Sequence, residues 1–201
     1  MTKNSPKSAV QHMRPLTDNF LRSFELYPHL IEQCCDDRDI RVFNIALITN
    51  CAAYVESQLN ERLQCLQTQK AFMEAAWEDI DAECDISGFK RSESISNKWN
   101  RIKEMQNSSD KWDNGNSIFS NFSALYSLRN EVLHYKCDYL ETAEVPIKRI
   151  KNIMEQLCDE APFGKKPFRS LLYESWCEHL LKQKTLTKWS INTTKKLMEA
   201  L

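Results

Sequence analysis

The sequence contains little glycine and no long apolar segment. Only three of its 201 residues are glycine, and tight turns between strands commonly require that residue. No apolar run approaches the roughly 18 residues that a membrane-spanning helix needs. With 42% hydrophobic residues, the chain is long enough to bury one core. The sequence therefore predicts an all-helical domain that does not cross a membrane.

The cysteines form no recognisable metal or disulfide motif. The chain has eight cysteines, but no pair has the CxxC spacing and no apolar signal segment is present at the N-terminus. Cys34 and Cys35 are adjacent, with His29 nearby, and adjacent cysteines fit tetrahedral zinc poorly. Cys51 and Cys177 lie in helical patterns, where a free thiol acts as a small apolar group. We expect a cytoplasmic protein with reduced thiols, no metal and no cofactor.

Common catalytic loops and a strong basic field are also missing. The sequence has no glycine-rich phosphate loop, no H-E-x-x-H pattern and no nucleophile elbow. The net charge is −1, so no global field attracts nucleic acid. Residues 32–85 contain twelve acidic and four basic residues, whereas residues 145–201 contain eleven basic and six acidic residues. RNA would meet the second surface more readily, although two differently charged solvated faces explain the asymmetry equally well.

The N-terminal half divides into an arm and two helical regions. Residues 1–15 are polar and lack periodicity, which predicts a flexible arm before a single domain at 16–201. A short helix is predicted at 16–26, with Thr17 or Asp18 as its cap, and Pro28 interrupts or restarts it. Residues 39–80 contain neither glycine nor proline and form one or two helices.

The long helical region at 39–80 has an apolar stripe and one acidic residue of interest. The stripe runs through Val42, Ile45, Ala52 and Leu59 at helical spacing. Glu56 lies among apolar neighbours, so it either pairs with Arg129 to satisfy both charges or is exposed.

The second half contains an insert and further helices. Residues 86–116 are rich in serine and other polar residues, which predicts an insert or crossover, with a short helix at 97–106. After the central helix described below, helices are predicted at 145–160, 168–181 and 186–201. The fold class is therefore an up-and-down bundle of four to five helices with short additional helices.

The most informative segment is 117–136, which reads SIFSNFSALYSLRNEVLHYK. Its apolar residues recur every three or four positions, which predicts an amphipathic helix ending within residues 135–138. These residues are Ile118, Phe122, Leu125, Leu128 and Val132.

The polar end of this helix carries Arg129, Asn130 and His134. Arginine is a permanent planar cation suited to phosphate, and histidine can accept and return a proton near neutral pH. Asn130 and His134 lie one turn apart on one face, whereas Arg129 and His134 are separated by about 140° around the axis. A long arginine side chain that reaches around the helix, or two copies facing each other, would bring the groups together.

The segment RNEVLH resembles the R-x(4–6)-H motif of the HEPN superfamily, in which the arginine is commonly followed by Asn, Asp or His. The closing helix, with Trp189 and Ser190 followed by Thr193, is similar to that of many bacterial HEPN-like proteins. The resemblance covers the chain from about residue 39 to 201. It implies a helical bundle that forms a homodimer through the motif helix. Family members also lead one to look for an acidic residue on the preceding helix, and Glu56 lies there.

The resemblance further implies a metal-independent endoribonuclease. His134 would move protons to or from the ribose 2′-hydroxyl and the leaving oxygen, while Arg129 stabilises the charged phosphorane. Asn130 would hold a phosphate oxygen or orient His134, and Tyr135 and Lys136 would add stacking or electrostatic contacts to RNA. The expected product carries a 2′,3′-cyclic phosphate. Toxins and phage-defence effectors are common in the family, so an antitoxin or other regulatory protein is a further expected partner.

The sequence departs from the family pattern at one position, and one alternative function remains open. In some toxins of the superfamily, a nucleotidyltransferase antitoxin modifies a tyrosine two places after the histidine. That position is Lys136 here, so regulation by this modification is not expected. The alternative function is a non-catalytic helical module, such as a scaffold, a nucleotide-binding domain or a partner-binding adaptor, in which Arg129 and Asn130 only stabilise the bundle.

Overall fold

The described part of the chain is entirely helical. The computed structural model describes residues 17–75, 93–134, 148–157 and 175–201, so the predicted arm at 1–15 lies outside the described residues. Within these ranges there are seven helices and no strands, which confirms the all-α fold class. The helices are α1 (Thr17–Gln33), α2 (Asp37–Ala75), α3 (Ile95–Met105), α4 (Ser117–Leu133), α5 (Lys148–Leu157), α6 (Trp176–Leu181) and α7 (Lys184–Glu199).

Helix α2 is the centre of the bundle. It is one continuous helix of 39 residues, which corresponds to a length of about 58 Å. No glycine or proline interrupts it, and Asp37 and Asp39 in its first turn complement the positive end of the helix dipole. It contacts α1, α3, α4, α6 and α7. The helices on different sides of α2 are therefore held by a common support.

The predicted apolar stripe of α2 is only partly correct. Ala52 and Leu59 are buried, but Val42 is 59% exposed. The fully buried side chains at the N-terminal half include Asn44, Leu47 and Ile48 instead. Because helices contact α2 on several sides, its buried surface is wider than one stripe and is centred on a different face.

Pro28 does not interrupt α1, which runs from Thr17 to Gln33 without a break. Proline lacks the amide hydrogen that would complete the helical ladder at this point. The neighbouring Phe24 and Ile31 are 6% and 1% exposed, respectively. Their burial against the bundle stabilises the helix on both sides of the proline.

Part of the predicted insert contributes to the core. Residues 95–105 form α3, whose Trp99 and Ile102 are almost fully buried. Trp99 packs edge-to-face on Phe119 of α4, with ring centroids 5.1 Å apart, and Trp112 of the connecting loop packs on Phe119 at 4.6 Å. These aromatic contacts fix α3 and the loop against the beginning of α4.

The apolar stripe predicted for α4 is confirmed. Phe122, Leu125 and Leu128 are at most 1% exposed, and Ile118 and Val132 are partly buried against the same core. Asn116 caps the helix, because its Oδ1 accepts a hydrogen bond from the backbone N–H of Ile118 at 2.9 Å. This packing presents the opposite, polar face of α4 outward.

Candidate functional site

The RNEVLH segment forms the C-terminal end of α4. The helix ends at Leu133, and His134 is its exposed C-cap, before the predicted end at 135–138. The backbone N–H of His134 donates to the carbonyl of Asn130 at 2.9 Å. This bond holds the base of the histidine side chain one turn beyond Asn130, while its imidazole remains accessible to solvent.

The guanidinium of Arg129 bends toward the face that carries Asn130. Its Nη1 donates to Oδ1 of Asn130 at 2.9 Å, and its Cζ lies 5.7 Å from the ring centroid of Tyr126. The latter distance is within the range of a cation–π contact. Two neighbours on the same helix therefore fix the arginine side chain.

Tyr126, Asn130 and His134 follow one another at intervals of four residues. Side chains at this spacing form a row along one side of a helix. The guanidinium of Arg129 contacts Tyr126 and Asn130, so it reaches around the helix to the side that carries this row. We call Tyr126, Asn130 and His134, together with Arg129, the motif row. Tyr126 was not identified from the sequence, although its position four residues before Asn130 is a signal that could have found it.

One nitrogen of Arg129 has no hydrogen-bond partner among the described residues. This nitrogen is the buried Nε, whereas Nη1 donates to Oδ1 of Asn130. A buried donor without a partner is uncommon and marks a place where an external acceptor would be stabilising. A phosphate oxygen is such an acceptor, because arginine binds phosphate through several parallel N–H groups.

Glu56 is paired with a lysine and not with Arg129. Its Oε1 lies 3.3 Å from Nζ of Lys98, whose side chain is completely buried, while the Glu56 side chain is 39% exposed. The sequence offered pairing with Arg129 or exposure, and the structure instead gives a partly exposed carboxylate with a different partner. The reason is long-range packing, because α3 places Lys98 against α2.

A cleft of about 590 Å³ adjoins the motif row. Tyr126 belongs to both, but Arg129, Asn130 and His134 do not line the cleft. Its walls come from α2, the start of α3, the loop before α4, α4 itself and α5, through residues that include Glu56, Glu93, Trp112, Ser127 and Arg149. Tyr126 therefore links the predicted catalytic groups to this cleft.

The remaining predicted features fall in different places. Tyr135 and Lys136 lie outside the described residues. Cys35 and His29 are exposed, and within the described ranges no group of three or more His, Cys, Asp or Glu side chains is arranged to hold a metal ion. None of the helices in those ranges is both long enough and apolar enough to cross a membrane.

Comparisons with known proteins give no match: neither family models, nor curated protein sequences, nor solved structures are significantly similar to this chain.

Proposed function

We propose that this chain is a HEPN-like, metal-independent endoribonuclease that cleaves RNA to leave a 2′,3′-cyclic phosphate. The observation that carries the proposal is the motif row, in which the Arg129 guanidinium contacts Asn130 on the side of α4 that leads to the exposed His134. A cation for phosphate and a proton carrier thus lie at one helix end. These are the groups that phosphodiester cleavage by the neighbouring ribose hydroxyl requires.

In the proposed reaction, His134 removes the proton from the ribose 2′-hydroxyl, and the resulting oxygen attacks the adjacent phosphorus. The P–O bond to the 5′-oxygen breaks, and that oxygen receives a proton from imidazolium, supplied by the same histidine or by its counterpart in a second subunit. Arg129 stabilises the additional negative charge of the phosphorane through the N–H groups of its guanidinium. Asn130 positions the guanidinium.

A homodimer through the end of α4 would complete the site. Leu133 is 47% exposed directly before His134, so a dimer that brings the two His134 side chains together would also bury this leucine. In a two-fold dimer the two motif rows face each other. Each phosphate would then meet groups from both subunits.

The decisive experiment is RNA cleavage in the presence of a chelator. Purified protein is expected to cut total RNA, and His134→Ala is expected to lower the rate by about 10²–10⁴-fold, the usual contribution of acid–base catalysis. His29→Ala is the matched control, because His29 is exposed on α1 and lies outside the motif row. Circular dichroism would verify that both variants retain the helical fold.

Subunit mixing tests the dimer separately. If each site combines Arg129 of one subunit with His134 of the other, mixing inactive Arg129→Ala and His134→Ala proteins restores about a quarter of the activity, because mixed dimers contain one complete site. Equal cleavage by wild type and His134→Ala would contradict the proposal. So would a folded wild-type protein that cuts no RNA, which would instead support the non-catalytic helical module.

A further inference from the structure

The cleft beside the motif row has an aromatic wall. Trp112 and Tyr126 are partly exposed on either side of Phe122, which is 1% exposed and closes the wall from behind. Phe122 lies 6.4 Å from Trp112 and 6.3 Å from Tyr126, measured between ring centroids. The indole N–H of Trp112 donates to Asn114, so the polar edge of this ring is occupied. Phe119 packs on the Trp112 ring and Arg129 lies over the Tyr126 ring, so only the parts of these rings that line the cleft are suited to stacking with another planar group.

The cleft also contains two carboxylates, each fixed by a cation of the protein. Glu56 is bound by Lys98 at 3.3 Å, and Glu93 is bound by Arg101 at 2.8 Å. Because a protein cation already balances each of these charges, the carboxylates are expected to bind a free cation only weakly. Their remaining lone pairs can still accept hydrogen bonds from N–H groups of a ligand.

An exposed cation and several hydroxyl groups complete the lining. Arg149 lies in the first turn of α5 and is exposed, while Ser123 and Ser127 project from α4. Ser127 Oγ donates to the carbonyl of Ser123 at 2.7 Å. Arginine in this position can bind a phosphate group at the solvent side of the cleft.

We propose that this cleft binds one nucleotide of the substrate and recognises its base. The planar base would stack on Trp112 and Tyr126, its amino edge would donate to Glu56 and Glu93, and a phosphate would contact Arg149. The volume of about 590 Å³ is within the usual range for small-molecule sites, about 300–1,000 Å³. Guanine is favoured, because it presents two adjacent N–H groups to a carboxylate, whereas uracil presents one.

This inference deepens the proposed ribonuclease and rests on it for the identity of the substrate as RNA. The physical link is Tyr126, which lines the cleft and contacts the Arg129 guanidinium at 5.7 Å. A nucleotide held in the cleft would place the next phosphodiester of the same strand near the motif row. The cleft would then select which linkage is cut.

The test is calorimetric titration of the non-cleaving His134→Ala protein. The probes are guanosine monophosphate, uridine monophosphate, and a 2′-O-methyl RNA that contains guanosine and cannot be cut. Guanosine monophosphate is expected to bind about tenfold or more tightly than uridine monophosphate, which is the effect of one hydrogen bond to a charged group. The RNA probe distinguishes a site for a free nucleotide from a site for a nucleotide within a strand.

Ser127→Leu fills the cleft with a larger side chain at a position where leucine also favours helix. This substitution is expected to lower the affinity for guanosine monophosphate and for the guanosine-containing RNA at least about tenfold. Ser120→Leu is the matched control on the same helix, because Ser120 does not line the cleft, and it should bind as the parent protein does.

Arg149→Ala provides a second variant, since Arg149 is exposed and its removal leaves the core intact. It should lower the affinity for guanosine monophosphate about tenfold and leave the affinity for guanosine, which lacks the phosphate, unchanged. Lys151→Ala on the same helix should change neither affinity. Equal affinity for the two monophosphates, or no binding of either, would overturn the inference.

The two proposals can fail independently. If wild-type protein cuts no RNA but the His134→Ala protein binds guanosine monophosphate and Ser127→Leu abolishes this binding, the cleft is a nucleotide site without the nuclease. If wild-type protein cuts RNA and a folded Ser127→Leu protein cuts it with the same kcat, KM and base preference, the nuclease remains and the cleft is not its base-recognition site.

Discussion

At the scale of single residues, Asn44 is a buried polar side chain that joins α2 to the turn between α6 and α7. It is completely buried on α2, and its Nδ2 donates to the carbonyls of Leu181 and Gln183 at 2.7 and 3.1 Å. Its Oδ1 accepts a hydrogen bond from Thr187 at 2.8 Å. One side chain therefore satisfies three groups at the turn between two helices, which burial would otherwise leave unpaired.

Asn44→Ala should lower the free energy of unfolding by about 2–4 kcal/mol, because it leaves several buried polar groups without partners. Thr187→Val removes only the hydroxyl bond and should cost about 1 kcal/mol. Urea denaturation followed by circular dichroism measures both. A smaller loss for Asn44→Ala than for Thr187→Val would contradict this account.

The sequence predicts which residues lie together at the end of α4, but it does not predict the cleft beside them. Arg129, Asn130 and His134 are close in sequence, so helical geometry alone brings them to one helix end. Trp112 and Glu56 reach the same cleft from segments far apart in the chain, and the partner of Glu56 depends on how α3 packs against α2. A pairing between distant segments leaves no periodic signal in a single sequence.

At the scale of elements, the C-terminus of α7 is held by a lysine from α3. Nζ of Lys103 donates to the carbonyls of Ala200 and Leu201 at 2.9 and 3.2 Å, and it lies 5.2 Å from the ring centroid of Trp99. The last carbonyls of a helix lack partners within the helix and carry its negative partial charge. The buried ammonium both satisfies these groups and joins α3 to α7.

Lys103→Met retains the apolar stem of this side chain and removes its charge. We expect a loss of about 1.5–3 kcal/mol in the free energy of unfolding, as for hydrogen bonds that involve a charged group. Lys196→Met is the control, since this lysine is exposed in the last turn of α7 and should change stability by less than about 0.5 kcal/mol. Equal effects in chemical denaturation would argue against the proposed role of Lys103.

The helices themselves are largely predictable, and the differences at Pro28 and Val42 have physical causes. Low glycine content and clear periodicity predicted α4, the uninterrupted α2 region and α7. The sequence predicts that Pro28 interrupts or restarts the first helix, but α1 continues through it to Gln33, because burial of Phe24 and Ile31 overrides the local preference. Val42 was expected in the core, but the arrangement of neighbouring helices around α2 determines which face is buried. Tertiary packing decided both cases.

At the scale of the whole molecule, two buried thiols couple stability to alkaline pH. Burial raises the pKa of Cys51 from 9.0 to about 12, and a hydrogen bond from Thr194 opposes this only partly. Burial, with smaller contributions from Glu178 and Glu131, raises the pKa of Cys177 to about 12. Between about pH 9 and pH 12, both thiols therefore stay protonated in the folded protein, whereas they lose their protons in the unfolded chain.

Because the folded pKa lies above the unfolded value, the stabilisation is complete below pH 9 and is lost as the pH rises from about 9 toward 12. Each thiol contributes a slope of up to about 1.4 kcal/mol per pH unit in this window. Urea denaturation at pH 8 to 10.5 should therefore show a shallower decline for Cys51→Ala/Cys177→Ala than for wild type. The exposed pair Cys35→Ala/Cys65→Ala should retain the wild-type slope.

The unbroken course of α2 determines how the cleft can respond to a ligand. Glu56 belongs to a helix that contains neither glycine nor proline and packs against five other helices. This side of the cleft is therefore rigid. Trp112 belongs to the non-helical connection between α3 and α4. The ring of Trp112 nevertheless packs on Phe119 at 4.6 Å, and its backbone N–H donates to Oδ1 of Asn100 at 2.7 Å. Both walls of the cleft are therefore held before a base arrives, so a base would enter a preformed slot with little rearrangement of the protein.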